Sequence, residues 1–391
     1  MQYRRFGWLF TTFLLVFVNQ LSAFGASPAN RSITRLGFRR LYISRLFRRN
    51  LGRLPIYHGV RLEAELDGQA VQPIINSLRP TNTIIGAYQF GFSLHTRQAG
   101  LWSGGHFVFA ILNVVTSGNP DVAIGDIQGV SSLYEQTRSR FHDIYFRQNV
   151  PFGVFRIGIM NGSDFFDVTG LATSLQNLSF NLTPTIGDNV AGFSHTGAGF
   201  MIRLKARSLV WRVGLYQGDP VQTFDQPFDR GAIGFLEVDR TWRNASREIT
   251  VKAGVWHYWQ HRRLRSTLGP SVGGVYGIAE WRDIPIRRYR LGFFAQVAGN
   301  PESRGPISSY LGFGGQFSGF WAQHRRDALS FGIARAWLNT ARTMAETTEE
   351  VAFVAHLPDR MIIEPDLQWI IHANGGPRNA LVAMLGAGVA F

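Results

Sequence analysis

The residues of this 391-residue chain that could do chemistry are spread at alternate positions through many short segments. Ser93 with His95 could supply a nucleophile and its base, since residues two apart on a strand share a face, and Ser194 with His195 is a second adjacent pair. Neither has an identifiable third group to orient the histidine, so no enzyme is expected. The histidines lack ligand spacing, cysteine is absent and no phosphate-binding loop occurs, so neither a metal nor a cofactor is expected. What recurs is a charged or aromatic side chain at every second residue. Asp143, Tyr145 and Arg147 alternate with Ile144 and Phe146, and Arg156 sits between Phe155 and Ile157. Arg203 shares a phase with Lys205, Arg212 with Tyr216, Glu237 with Asp239, Lys252 with Trp256 and Tyr258, and Glu364 with Asp366 and Gln368, while Arg290 stands on the polar phase of its own segment. A period of two is that of a strand with one oily and one wet face.

Sixteen such strands are expected, over 59–68, 84–95, 105–113, 139–147, 153–161, 199–206, 209–216, 231–241, 247–258, 272–282, 288–298, 309–319, 327–337, 348–357, 361–371 and 380–391. Their connections alternate in length. Asn149–Phe152, Arg207–Ser208, Asn244–Arg247, Pro285–Arg287 and Pro358–Arg360 are short, whereas Pro120–Arg138, Asn161–Ala198, Gln217–Arg230 and Gln260–Ser271 are long. Beyond the first twenty-odd residues no stretch approaches the roughly 18 apolar residues of a spanning helix. The last strand carries Ala383, Leu385, Ala387, Val389 and Phe391 on one phase and ends on that phenylalanine. With 43 glycines and 31 phenylalanines for turns and aromatic girdles, the pattern predicts an all-β fold. It is a 16-stranded antiparallel transmembrane β-barrel of the outer membrane, closed so that no strand edge meets lipid. Such a wall also requires that charged members of the strands keep off the lipid face.

Arg4 and Arg5, the apolar block Phe6–Val18 and the small residues up to Ala26 have the three parts of a secretory signal peptide over 1–26, with cleavage after Ala23, Gly25 or Ala26. A basic leader follows over 27–56. It has arginine at 31, 35, 39, 40, 45, 48, 49 and 53, with Ile43, Leu46, Phe47, Leu51 and Leu54 at helical spacing, so it reads equally as a short periplasmic helix or a solvated segment. The barrel is assigned 57–391. Export argues against nucleic acid as a partner, although the chain without its two signal arginines carries about +12 (40 − 2 − 26).

On these residues the chain resembles the carbohydrate-selective porins of the OprB family. The resemblance lies in Gly125-Asp126-Ile127-Gln128-Gly129-Val130-Ser131, Arg156-Ile157-Gly158, Gly214-Leu215-Tyr216-Gln217-Gly218-Asp219-Pro220, Lys252-Ala253-Gly254-Val255-Trp256-His257-Tyr258 and Glu364-Pro365-Asp366-Leu367-Gln368-Trp369-Ile370, five pieces in the family's order. It departs in lacking a Trp-Gly-Gly opening, in Ala352 where a glutamate is usual and in Gln296 where an arginine is common. The resemblance implies an outer-membrane porin for passive diffusion of carbohydrates. The alternative is a general or anion-preferring diffusion pore, and a third reading is an adhesin or wall anchor working through the leader. The expected partners are sugars as permeating solutes and outer-membrane lipid, with the barrel a monomer or homotrimer. The polar phase named above would line the pore, cationic on strands four to seven and anionic on the eighth and fifteenth. Arginine forks and carboxylates there would replace the water bonds of sugar hydroxyls, and Tyr145, Tyr216, Trp256 or Tyr258 would lie against the ring face. The Asn161–Ala198 loop, long and apolar, is expected to fold inward and narrow the bore, with Ile111, Leu112 and the Pro120–Ser132 loop contributing.

Overall fold

In the computed structural model each alternating segment is a strand: β1 (Val60–Ile75), β2 (Thr83–His95), β3 (Gly105–Thr116), β4 (Arg138–Val150), β5 (Gly153–Met160), β6 (Gly197–Ala206), β7 (Leu209–Gln217), β8 (Ala232–Asn244), β9 (Arg247–Trp259), β10 (Ser271–Ile286), β11 (Tyr289–Gly299), β12 (Ile307–Ser318), β13 (Ala328–Leu338), β14 (Ala345–His356), β15 (Met361–Ile371) and β16 (Ala380–Ala390). The structure describes residues 59–190, 196–218, 228–229, 231–244, 247–260, 271–287, 289–301, 305–320, 326–339 and 345–390. The signal and leader segments, Ser194, His195 and Phe391 lie outside them. The expected spans agree to within a few residues at most ends. The largest difference is β1, which runs on to Ile75 because Gln69 to Val71 keep pairing with both β2 and β16 past Gly68.

Every strand pairs antiparallel with its sequence neighbour, and β1 closes on β16 from Glu65 opposite Ala390 to Gln72 opposite Ala383. Closure leaves no strand edge in the membrane, where each unpaired backbone group would cost several kcal/mol. One phase of each strand faces outward with large apolar side chains, among them Leu66, Phe90, Ile157, Val213, Val255, Phe293, Phe313, Val351, Leu367 and Leu385. In water this surface would be a liability; in hydrocarbon it is matched to its solvent. The rule that charges avoid this phase fails near the rims. Arg240 of β8, Arg335 of β13 and Glu349 of β14 share a phase with outward apolar residues, and Arg247 opens β9 on the same phase as Ile249.

Two connections fold into the barrel rather than over it. The first, after β3, contains α1 (Pro120–Ile124). Asn119 caps it by accepting from Val122 N at 3.1 Å, Pro120 occupies its first turn, and Gly125 ends it in the left-handed region. The second, over residues 161–190, is a chain of short turns. It includes 3₁₀ turns at Gly162–Asp164 and Ala172–Ser174, α2 (Leu178–Asn181) capped by Asn177, and α3 (Pro184–Gly187) opened by Pro184. Phe166, Leu175, Phe180, Leu182 and Ile186 of this insert are fully buried, each worth roughly 1.5–3 kcal/mol relative to exposure. Glycines in the wall make room for them. A Cβ at Gly332 of β13 would lie 2.6 Å from Phe180 Cζ, and one at Gly214 of β7 would lie 2.7 Å from Phe166 Cε2. Leu112 points inward and packs with Val71, Ile85, Ile124 and Val130, while Ile111 lies on the outward phase, so only the former of the expected pair meets the inserted loops.

Candidate functional site

Cations gather where β4 to β7 run side by side. Arg147 is the direct cross-strand partner of Arg156, and Arg203 that of Arg212. Like charges opposite one another destabilise a sheet, and three of these four guanidinium groups have a local remedy. Arg147 donates to Asn149 Oδ1 at 3.0 and 3.2 Å. Arg156 lies 4.9 Å from the Phe165 ring centroid, a cation–π contact supplied by the insert. Arg212 donates to Glu237 Oε1 at 2.5 Å and Asp239 Oδ2 at 3.1 Å. All of these arginines keep part of their surface in contact with solvent, as do Tyr145, Lys205 and Lys252; Lys252 also donates to Val168 O of the insert. Arg290 is exposed at the short-turn end and pairs with Asp283 at 3.0 Å, apart from the others.

The expected anionic wall has a different fate. Asp143, Glu237, Asp239, Glu364, Asp366 and Gln368, with the aromatic residues Tyr216, Trp256 and Tyr258, are all buried, so nine of the seventeen expected lining residues do not front open water. For Glu237 and Gln368 the cause is the folded-in loops, whose polar groups require partners. Glu237 accepts from Asp167 N at 3.1 Å and from Tyr276 Oη at 2.8 Å. Gln368 donates to Val130 O at 2.9 Å and accepts from Asn177 Nδ2 at 3.1 Å, with a further bond to Asp366 at 3.2 Å. Tyr216 meets Phe166 edge-on, and Trp256 and Tyr258 belong to the same apolar cluster.

Several residues on this wall were missed by the sequence reading. Glu350 of β14 accepts from Gln176 N and from Asn177 N at 3.0 Å. Glu346 accepts from Ile127 N and Gln128 N, both at 2.9 Å, and from Asn374 N at 2.5 Å. Glu280 accepts from Leu171 N at 2.8 Å and pairs with Arg282 at 2.6 Å. Burying a carboxylate costs several kcal/mol, and two or three charge-assisted bonds of roughly 1.5–3 kcal/mol each offset that only when all are made. The departures from the family pattern also find reasons. Gln296 bridges Thr169 at 2.8 Å and Phe180 O at 2.9 Å, a pair of acceptors served by one neutral amide, and Ala352 is fully buried in the cluster beneath the insert. On β1 the inward phase carries Arg61, Glu63, Glu65 and Asp67, all partly exposed, and these were missed as well. The signal for them was present as the alternation of Glu63 and Glu65 with Leu62, Ala64 and Leu66.

Within the insert, burial pushes the Asp167 carboxyl up to about 7, opposed by hydrogen bonds from Thr183. The Ser93 hydroxyl lies 3.4 Å from Glu63 Oε1, and the His95 ring packs edge-on against His106 at 4.2 Å.

Residues 279–391 match the family model described as carbohydrate-selective porin, OprB family. A structure of Pseudomonas putida OprB at high pH is similar to the chain with a TM-score of 0.73 at 15% identity, covering 85% of this chain and 94% of the other. OmpF of Salmonella typhi, in complex with daunomycin, aligns with a TM-score of 0.55 at 10% identity over 85% of this chain and 98% of the other. An anion-selective porin from Comamonas acidovorans gives 0.53 at 10% identity over 85% and 99%. No curated protein matches the chain.

Proposed function

We propose, from the premise that the chain is an outer-membrane porin whose carboxy-terminal residues carry the carbohydrate-selective pattern, that it passes uncharged sugars passively through a narrowed, charge-lined bore. The observation that carries this reading is the division of the inner wall. Guanidinium groups of Arg147, Arg156, Arg203 and Arg212 remain in contact with solvent, Tyr145 lies among them, and the acidic stretch Glu63, Glu65 and Asp67 of β1 lies on the same interior. Donors and acceptors fixed on one water-filled surface suit hydroxyls that both donate and accept, and many weak contacts allow a solute to leave as readily as it enters. The residues 161–190 supply the narrowing, because their buried core fills cross-section that the wall alone would leave open.

The rival reading, an anion-preferring pore, is favoured by the same arginines and by the net positive charge. Liposome swelling with glucose-sized sugars against non-sugar solutes of equal size, alongside reversal potentials in a salt gradient, separates the two. Sugars are expected to enter faster than their size-matched controls. Equal rates with strong anion preference would replace the sugar reading with its rival. Deleting Asp164–Thr185 is expected to raise single-channel conductance in planar bilayers, and an unchanged conductance would remove the insert as the constriction.

A further inference from the structure

Arg240 interrupts an oily face near the short-turn rim. It lies on the outward phase of β8 between Leu236 and Trp242, both more than two-fifths exposed, where an arginine left in hydrocarbon is unfavourable. Its guanidinium lies 4.7 Å from the centroid of the Trp242 ring. Because Trp242 is two residues nearer the short Asn244–Arg247 turn, the charge leans toward that end of the barrel, which in this architecture is periplasmic. Arg247, at the start of β9, lies 5.9 Å from the Trp281 ring centroid. Trp242 and Trp281 are both register partners of Ile249, so two indoles and an isoleucine form a row across three strands with a guanidinium over each indole. The carboxylates near this rim are engaged elsewhere: Glu248 with Arg243 at 2.5 Å, and Asp283 with Arg290 at 3.0 Å. Among the described residues no ion pair is made by Arg240 or Arg247.

We propose that this patch binds the phosphate of an anionic phospholipid in the periplasmic leaflet. The two guanidinium forks would hold the headgroup, the indoles would sit at headgroup depth, and the acyl chains would run along Leu236, Val251 and Val255. Three features favour this occupant. Guanidinium geometry matches a phosphate's paired oxygens. Indoles concentrate at membrane interfaces. The surface directly above the row is aliphatic and exposed, as acyl chains require. At the opposite rim Arg335 lies 5.4 Å from the Trp337 ring, but there Glu349 occupies the outward phase of the adjoining strand and balances the charge of that face.

The test uses the full chain folded into nanodiscs of mixed phosphatidylcholine and phosphatidylglycerol, then released for native mass spectrometry. Wild type is expected to retain phosphatidylglycerol over phosphatidylcholine. The Arg240→Gln/Arg247→Gln double variant is expected to lose that retention by about 25-fold, each arginine near an anionic surface contributing about fivefold. Its single-channel conductance should match wild type, which shows that the barrel has folded, and Arg335→Gln should leave lipid retention unchanged. Equal retention in wild type and double variant, no preference for phosphatidylglycerol, or a change in oligomer mass in place of lipid loss would each overturn the assignment, the last by giving the patch to a neighbouring barrel. Because the readout is bound lipid, its failure is distinguishable from failure of the sugar-transport reading.

Discussion

Two stretches of one inner wall obey the same alternation and end differently. On β8, β10, β14 and β15 the inward acceptors lie under the insert, whereas on β4 to β7 the inward cations Arg147, Arg156, Arg203 and Arg212 stay in contact with water. The partition follows from hydrogen-bonding capacity. A folded-in loop of short turns leaves many N–H groups without partners, and an ionised carboxylate only accepts, so Glu237, Glu280, Glu346 and Glu350 become anchors. A guanidinium only donates, so it serves such a loop at carbonyls, as Arg378 does at Ile124 O, or at an acidic side chain, as Arg138 and Arg140 of β4 do at Glu135. An insertion laid against a mixed wall therefore consumes acid and leaves base. The solvated interior becomes more cationic than a count of the strand residues implies.

The comparison breaks most visibly at Glu350. In Glu350→Ala the amides of Gln176 and Asn177 lose their acceptor inside the barrel, at about 1–3 kcal/mol for each buried donor left unpaired. Amide exchange over 176–182 should accelerate about a hundredfold, and channel recordings should become noisy as the insert opens. If exchange there is unchanged, the carboxylate is not an anchor. A smaller effect is expected from pH at Asp167. An acid whose pKa is raised on folding stabilises the insert fully only below its unfolded value near 4, and the contribution is lost as pH rises through about 7. Protection of the Thr183 amide, whose N–H donates to Asp167 Oδ2 at 2.7 Å, should fall between pH 5 and pH 8 in wild type, once the intrinsic base-catalysed rise in exchange is divided out, and much less in Asp167→Asn. An identical pH response in the variant would show that another group titrates.

How much of this division could be read from the chain follows the range of the forces involved. Strand number, order and facing depend on a local period, so Ile144 out and Asp143 in, or Leu367 out and Asp366 in, are fixed by neighbours two residues away. The use of an inward side chain depends on a loop far away in sequence, and nothing near Glu237 announces that Asp167 N, seventy residues earlier, will lie on it. Alternation also cannot separate lining from anchoring. Glu364, Asp366 and Gln368 look like a pore wall in sequence, and Gln368 bonds to inserted segments from two different loops. Glu346 was missed for a simpler reason: β14 begins at Ala345, before the expected start at 348.

The finest distinction is between two solvated stretches of opposite sign, and it needs a measurement blind to stability. Replacing Arg147 and Arg156 by glutamine removes positive charge from a region that anchors no backbone of the insert, so thermal stability should change by less than about 1 kcal/mol, as for partly exposed charges generally. The zero-current potential in a tenfold salt gradient should nevertheless shift toward cations. Glu63→Gln with Asp67→Asn should shift it toward anions, and by less, because β1 already carries Arg61 beside these carboxylates. Fixed charges act on a permeating ion through a screened field, so both shifts should shrink together as salt rises from 0.1 M to 1 M and the Debye length falls from about 10 to about 3 Å. Shifts of the same sign from the two replacements would mean that one of these stretches does not face the permeation path.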